Sequence, residues 1–353
     1  MGLVSPEMRG HLVGWRETLV YAVSQLQPDY AITLDGTAWS GVTPYWWFTE
    51  NYRPVARFGH ATIYQRTASS STGYIANTEA YFSSGLILTE AAVSSQMLQP
   101  GGTLAIHLKF DVAASQSADY QLTTYLMDAQ TYERFAITNE WPFDSGYSTR
   151  FWQAREQFQV PLRLNVPRDL KPGTYRLGVI VYNPATHTDL PLSTNASEVH
   201  VGWLRVGNPK STEPSIPLAE KLLNSAWSEG IKLTAIGLPS RTLSAGEMLV
   251  VAFNWRVDRV PLRDLTVFLH VIDNAGNIVA QKDQHPFDGR FSTAVWQVDE
   301  HLRDVFTVAL PANLPAGKYG LRIGLYDMAG PVPLDNGSQD FLLLPDVVQV
   351  STQ

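Results

Sequence analysis

Through most of the chain, apolar side chains recur at every second residue. Leu104, Ile106, Leu108 and Phe110 alternate with Ala105, His107 and Lys109, and Leu249, Val251, Phe253 and Trp255 repeat the pattern 145 residues later. A period of two sends one set to the buried face of a sheet and the other outward. Such runs predict strands near 86–92, 103–112, 120–128, 132–139, 157–164, 174–182 and 198–206, separated by turns such as Pro100-Gly101-Gly102. The start of the chain differs. Leu12, Trp15, Leu19, Ala22, Val23 and Leu26 fall at three- and four-residue steps, which predicts a helix from His11 to Gln27 stopped by Pro28. Tyr30 to Leu34 then reads as a short buried strand, Asp35-Gly36 as a turn, and Tyr45 to Tyr52 as an aromatic helix opened by Pro44. Val55 to Gln65 holds one further strand, around Ala61 to Tyr64, and Leu218 to Trp227 reads as one short helix.

The alternating region is written twice. Pro142, Phe143, Asp144, Ser148, Thr149, Trp152 and Glu156 recur as Pro286, Phe287, Asp288, Ser292, Thr293, Trp296 and Glu300, each 144 residues on. Pro167, Leu170, Gly173, Tyr175 and Leu177 answer in the same way to Pro311, Leu314, Gly317, Tyr319 and Leu321. Earlier matches run at 145, so one residue is lost between Asp128/Asp273 and Pro142/Pro286, where a hairpin turn absorbs it, Asn274 to Asn277 in the second copy. A repeat of this length is a domain-sized unit. The predicted fold is mainly β: two tandem antiparallel Ig-like β-sandwiches preceded by a small α/β segment. The boundaries are 1–66 for the α/β segment, read as the tail of a larger unit, 67–80 for a Ser-rich linker, and 81–206 for the first sandwich. A linker with a short helix follows at 207–228, and the second sandwich spans 229–353.

Charge and composition narrow the partners. Twenty-six basic residues against thirty-three acidic ones leave a net charge of −7 without basic runs, which argues against nucleic acid. The absence of cysteine removes disulfides, thiolate metal sites and a cysteine nucleophile together. No apolar run approaches the roughly 20 residues of a membrane helix, and the first residues lack the basic-then-apolar order of a signal peptide, so the expectation is a soluble, unaddressed chain. No cofactor signature occurs: there is no glycine-rich phosphate loop, no Gly-x-Ser-x-Gly elbow and no metal-type spacing among the eight histidines.

Each candidate for chemistry has two readings. Asp144, Asp288, Glu156 and Glu300 are acid/base carboxylates or turn residues; Asp after Pro-Phe suits a turn, and an active site is seldom needed twice. Trp152 and Trp296, with Trp141 beside the first turn, are candidate glycan-binding platforms, although burial between two sheets is the commoner fate. Phe143, Phe287, Tyr175 and Tyr319 complete the repeated structural motif, the tyrosines as corner residues tying a turn. His107 sits at an outward strand position, and the facing of His270 is open. Trp39, Tyr45, Trp46, Trp47, Phe48 and Tyr52 form either a core or an aromatic belt at a membrane interface.

The segments Leu26-Gln27-Pro28-Asp29-Tyr30, Tyr52-Arg53-Pro54-Val55-Ala56-Arg57-Phe58 and Ile63-Tyr64-Gln65-Arg66 resemble the end of the extracytoplasmic part of certain bacterial membrane enzymes. These are multi-spanning glycosyltransferases of the dolichyl-phosphate-mannose protein mannosyltransferase kind. The repeats resemble β-sandwich extensions that such proteins carry in some environmental bacteria, notably Chloroflexota. The second repeat fits best, through Thr293, Trp296, Asp304, Pro315, Gly317, Tyr319, Gly324, Leu325, Tyr326 and Asp327. The first departs, with Val160 in place of Asp304 and Tyr182-Asn183 in place of Tyr326-Asp327. The resemblance implies a non-catalytic, extracytoplasmic accessory module that positions or weakly binds glycan or acceptor. Its partner would be a membrane glycosyltransferase core, to which a missing upstream part would anchor it. Catalysis would lie in that membrane part, so no catalytic residue carries over. A purely structural spacer is the alternative, and a glycan-processing enzyme with Asp or Glu at a sandwich rim a third reading.

Overall fold

A computed structural model describes residues 15–35, 42–43, 45–67, 73–208, 219–337 and 339–351. The chain is mainly β, and its contacts divide it into two compact units: residues 1–171 with 175–204, and 205–353 with 172–174.

The first unit opens with helix α1 (Trp15–Leu26), strand β1 (Tyr30–Leu34), helix α2 (Trp46–Asn51) and the hairpin β2 (Tyr52–Phe58) and β3 (Ala61–Arg66). The three strands form one sheet, ordered β1-β3-β2, with both pairings antiparallel, so this segment is α+β rather than α/β. Strand β2 was not expected. It is an edge strand carrying Pro54 at a bulge between Pro54 and Ala56, one of the few places a sheet tolerates proline. The aromatic cluster is core. Tyr45, Trp47, Phe48 and Tyr52 are buried, Phe48 stacks on Tyr52 at 4.9 Å, and Trp47 meets Phe143 edge-on at 6.5 Å, which excludes these four from a membrane belt. Trp39 lies outside the described residues. The opposite face of the sheet leaves Tyr30, Ile32 and Leu34 exposed.

The same unit continues with β4 (Tyr74–Tyr81), β5 (Leu86–Val93), β6 (Met97–Leu98), β7 (Thr103–Val112), β8 (Gln121–Asp128) and β9 (Arg134–Glu140). It closes with β10 (Gln157–Asn165), β11 (Gly173–Asn183), β12 (Thr188–Asp189) and β13 (Val199–Val206). One sheet is β10-β7-β5-β4; the other is β6-β13-β11-β8-β9, with β12 paired to β11. Strand β4 corrects the expected linker at 67–80, of which residues 68–72 lie outside the described residues. The N-terminal segment lies over the outward face of β7 and β10. Arg163 of β10 pairs with Glu50 and stacks on Trp46 at 4.1 Å, and the Gln159 backbone N–H donates to Gln25 at 3.2 Å.

The second unit holds β14 (Ala219–Trp227), β15 (Ile231–Leu238), β16 (Thr242–Ser244), β17 (Met248–Val257), β18 (Thr266–Ile272) and β19 (Ile278–Gln284). Strands β20 (His301–Ala309), β21 (Gly317–Asp327), β22 (Gly330–Pro331) and β23 (Phe341–Ser351) complete it. Its sheets, β14-β15-β17-β20 and β16-β23-β21-β18-β19 with β22 on β21, repeat the strand order of the first unit position for position. Inward residues of both sheets, such as Leu249, Phe253 and Phe306 from one and Leu269, Leu321 and Val348 from the other, make a single core. Strand β14 corrects the helix expected at 218–227. Ala, Glu, Lys and Leu favour a helix locally, but pairing with β15 prevails and seats Trp227 in the core. The residue lost between the copies lies where expected. Asp128 N–H bonds to Glu133 O across the β8–β9 turn, whereas Asp273 N–H reaches Asn277 O, one residue sooner.

Candidate functional site

The repeated turn is a staple between strands. Phe143 and Asp144 (φ 55° and 52°), like Phe287 and Asp288 (55° and 54°), take left-handed backbone, which Asp tolerates better than most residues. Both aspartates are exposed, whereas both phenylalanines are buried. Thr149 then donates to Ala118 O at 2.8 Å and accepts from Tyr120 N–H at 2.8 Å; Thr293 does the same with Arg263 O at 2.6 Å and Leu265 N–H at 2.9 Å. Glu156 accepts from Gln153 N–H at 2.8 Å and Glu300 from Gln297 N–H at 3.1 Å. Each repeated polar residue with such a bond therefore closes backbone. The corner tyrosines act alike, Tyr175 donating to Lys171 O at 2.7 Å and Tyr319 to Pro315 O at 2.8 Å.

Burial decides the tryptophans. Trp152 is 1% exposed and stacks on Phe158 at 4.1 Å; Trp296 is 0% exposed, beside Trp255 at 6.4 Å. Neither can offer a ring face to a sugar, and both leave the candidate glycan-binding set. Of the three, only Trp141 keeps partial exposure. Among the described residues, no group of three His, Asp or Glu side chains is arranged to hold a metal ion.

The open chemistry lies instead on the outward face of the larger sheet in each unit. In the second unit Phe268 packs over Gly324 of the neighbouring strand, so close that a Cβ there would sit 2.3 Å from the ring. His270 stacks on Phe268 at 4.7 Å, and Tyr326 lies 6.3 Å from Phe268. Asp283 accepts from the Tyr326 hydroxyl at 3.2 Å and stands 3.5 Å from His270 Nε2. Arg322, opposite His270 in register, stacks on Phe341 at 4.5 Å. These five ring- or guanidinium-bearing side chains are all half-buried, so part of each remains accessible. His270 Nδ1 and Arg322 Nε are buried beneath the shelf and have no hydrogen-bond partner, so its accessible polar atoms are the others. Burial lowers the His270 pKa against the opposing pull of Asp283, and burial followed by Asp283 raises that of Tyr326. At neutral pH the shelf therefore combines a neutral imidazole, a phenol, a carboxylate and a guanidinium with apolar ring faces.

The first unit closes the corresponding surface. Tyr125, wholly buried, covers Gly178 and donates to Glu198, which also receives Arg134; His200 Nε2 lies 3.2 Å from the Tyr125 hydroxyl. Burial and the bond to Glu198 raise the Tyr125 pKa strongly. The shelf was within reach of the alternation. Val267, Leu269 and Val271 point inward, which sends Phe268 and His270 outward together. The cross-strand approach of Tyr326 and Phe341 carries no such local signal.

No protein-family model matches the chain, and no curated protein does.

Proposed function

We propose that this chain is a non-catalytic, extracytoplasmic accessory module that binds or positions glycan beside a membrane glycosyltransferase-like core, built on two tandem Ig-like β-sandwiches. The strand order supports the Ig-like description. In the second unit β15, β17 and β20 face β23, β21, β18 and β19, while the short β16 crosses over to pair parallel with β23. A tyrosine at the start of β21 ties the preceding corner, as in sandwiches of that kind. Similarity of the repeats to glycosyltransferase extensions supports the setting. No helix among the described residues is long and apolar enough to cross a membrane, so such a core would belong elsewhere.

The observation that carries the binding half is the shelf of Phe268, His270 and Tyr326 flanked by Asp283 and Arg322. Stacked rings offer a flat apolar platform to the C–H face of a sugar, and planar polar groups at its edge bind hydroxyls in fixed directions. Calorimetric titration with cell-envelope polysaccharides tests it. Binding that falls at least tenfold in Phe268→Ala, with an unchanged melting temperature, is the expected result. No heat with any polymer would leave the second reading, a structural spacer, which the burial of Trp152 and Trp296 favours.

A further inference from the structure

The first unit contains a partly open cleft that its sequence motifs do not announce. A cavity of about 250 Å³ lies between α1, α2 and the outward face of β7 and β10. Ser24, Trp47, Tyr52, Arg66, His107 and Gln159 line it, with Val23 and Pro161 as apolar wall. Its volume is roughly eight times the ~30 Å³ share of a liquid water and just under the ~300 Å³ at which drug-sized pockets begin. That suits one ring.

The polar inventory fixes the ligand's chemistry. The one guanidinium, Arg66, is already held by Asp29 and Gln27, both at 3.2 Å. The Tyr52 hydroxyl is spent on Pro28 O at 2.9 Å. Trp47, 3% exposed, keeps its indole Nε1–H buried in the wall without a hydrogen-bond partner, so it offers the space a ring surface and no donor. Asn51 donates to Trp47 O at 2.7 Å, Thr67 to Glu50 O at 3.2 Å, and Ser24 accepts from Gln25 at 3.0 Å, which leaves His107 and Gln159 as the lining side chains with no bond of their own within the described residues. Desolvation holds the His107 pKa below its ordinary value against the pull of Glu50, so the imidazole is neutral and offers one donor and one acceptor. A ligand matched to these walls is uncharged, carries both donors and acceptors, and has an apolar face for Val23 and Pro161. Ions are disfavoured, because no unpaired charge faces the space.

We propose that this cavity is a second binding site, taking a single uncharged polyhydroxylated ring of monosaccharide size. The choice of a sugar rests on the glycan reading above; the cavity itself does not. His107 and Gln159 supply the reversible hydrogen bonds, and the N-terminal segment is the lid that makes an outward sheet face concave.

Titration of the full chain with glucose, mannose, galactose and N-acetylglucosamine, read by ligand-observed NMR, tests the site. Saturable binding of at least one sugar is expected, weakened at least tenfold in His107→Ala and in Gln159→Ala at unchanged melting temperature, and retained in Phe268→Ala. That last variant empties the shelf alone, so the two readings fail separately. Binding kept by both cavity variants, or absent for every sugar in the panel, would overturn the proposal.

Discussion

The two repeated tryptophans occupy equivalent places with unequal hydrogen bonding. Trp296 Nε1–H donates to Phe291 O at 3.3 Å, whereas Trp152 Nε1–H is buried with no partner. Truncating either ring to phenylalanine removes similar apolar area. It also orphans a buried carbonyl in one case and relieves an unsatisfied donor in the other. Trp296→Phe should therefore destabilise its unit more than Trp152→Phe does its own, by about 1–2 kcal/mol. Urea denaturation of the two variants measures this, and equal losses would refute the asymmetry. The motif looked like chemistry in the sequence because Trp, Asp and Glu at fixed spacing suit a sugar site equally well. Whether an indole is core or platform depends on which sheet closes over it. Trp152, in the turn between β9 and β10, meets Phe110 of β7 and Phe158 of β10, contacts of a kind that residue spacing does not encode.

At the scale of elements, the legible strands were those with a clean inward set, and the missed ones were edges. Strand β7, with Leu104, Ile106, Leu108, Phe110 and Val112 all buried, declares itself; β4 and β14 carry Ala, Asn, Glu and Lys and gain their shape from a partner. One edge strand that was legible hides a conditional element. Asp304 of β20, 2% exposed, accepts from Phe287 N–H at 3.1 Å and so pins the repeated turn, where the first unit has Val160 instead. Burial pushes its carboxyl up to about 7, against two backbone hydrogen bonds that lower it, with Asp288 adding to the rise. Unfolded, the group ionises near 4; folded, it keeps its proton to about 7. Stability present below pH 4 is therefore lost as pH rises through 7, by about 4 kcal/mol at ~1.4 kcal/mol per unit. Asp304→Asn, which keeps one of the two acceptor oxygens used by Phe287 N–H and Val305 N–H, should start below the parent at pH 4 and lose the parent's decline between pH 4 and 7. A slope between pH 4 and 7 that survives the substitution would mean that another group titrates.

For the whole molecule, the duplication was the strongest signal, because two copies of one pattern also imply one strand order. That order is met position for position, whereas the boundaries are not. A second sandwich beginning at residue 229 omits β14, and with it Trp227, which is fully buried against Trp255 at 6.0 Å. The misplacement has a physical source. Ala219 to Trp227 has helical propensity and sits beside a Pro-rich stretch, so nothing local marks it as the fourth strand of a sheet. The N-terminal segment shows the same limit. His107 is outward from its sheet, as alternation requires, yet covered by helices more than fifty residues away in sequence, and the cavity exists only through that cover. The boundary is open to direct measurement. A fragment of residues 219–353 carries the complete core of the second unit and should unfold in one cooperative transition. A fragment of 229–353 loses a large buried ring and the β14 neighbour of β15, about 3–5 kcal/mol from the ring alone. That is roughly a third to a half of the ~10 kcal/mol at the middle of the range typical of a domain, before the lost strand pairing is added. The shorter fragment should therefore show a midpoint in urea lowered by more than half, or no transition at all. Equal midpoints for the two would place β14 outside the folding unit.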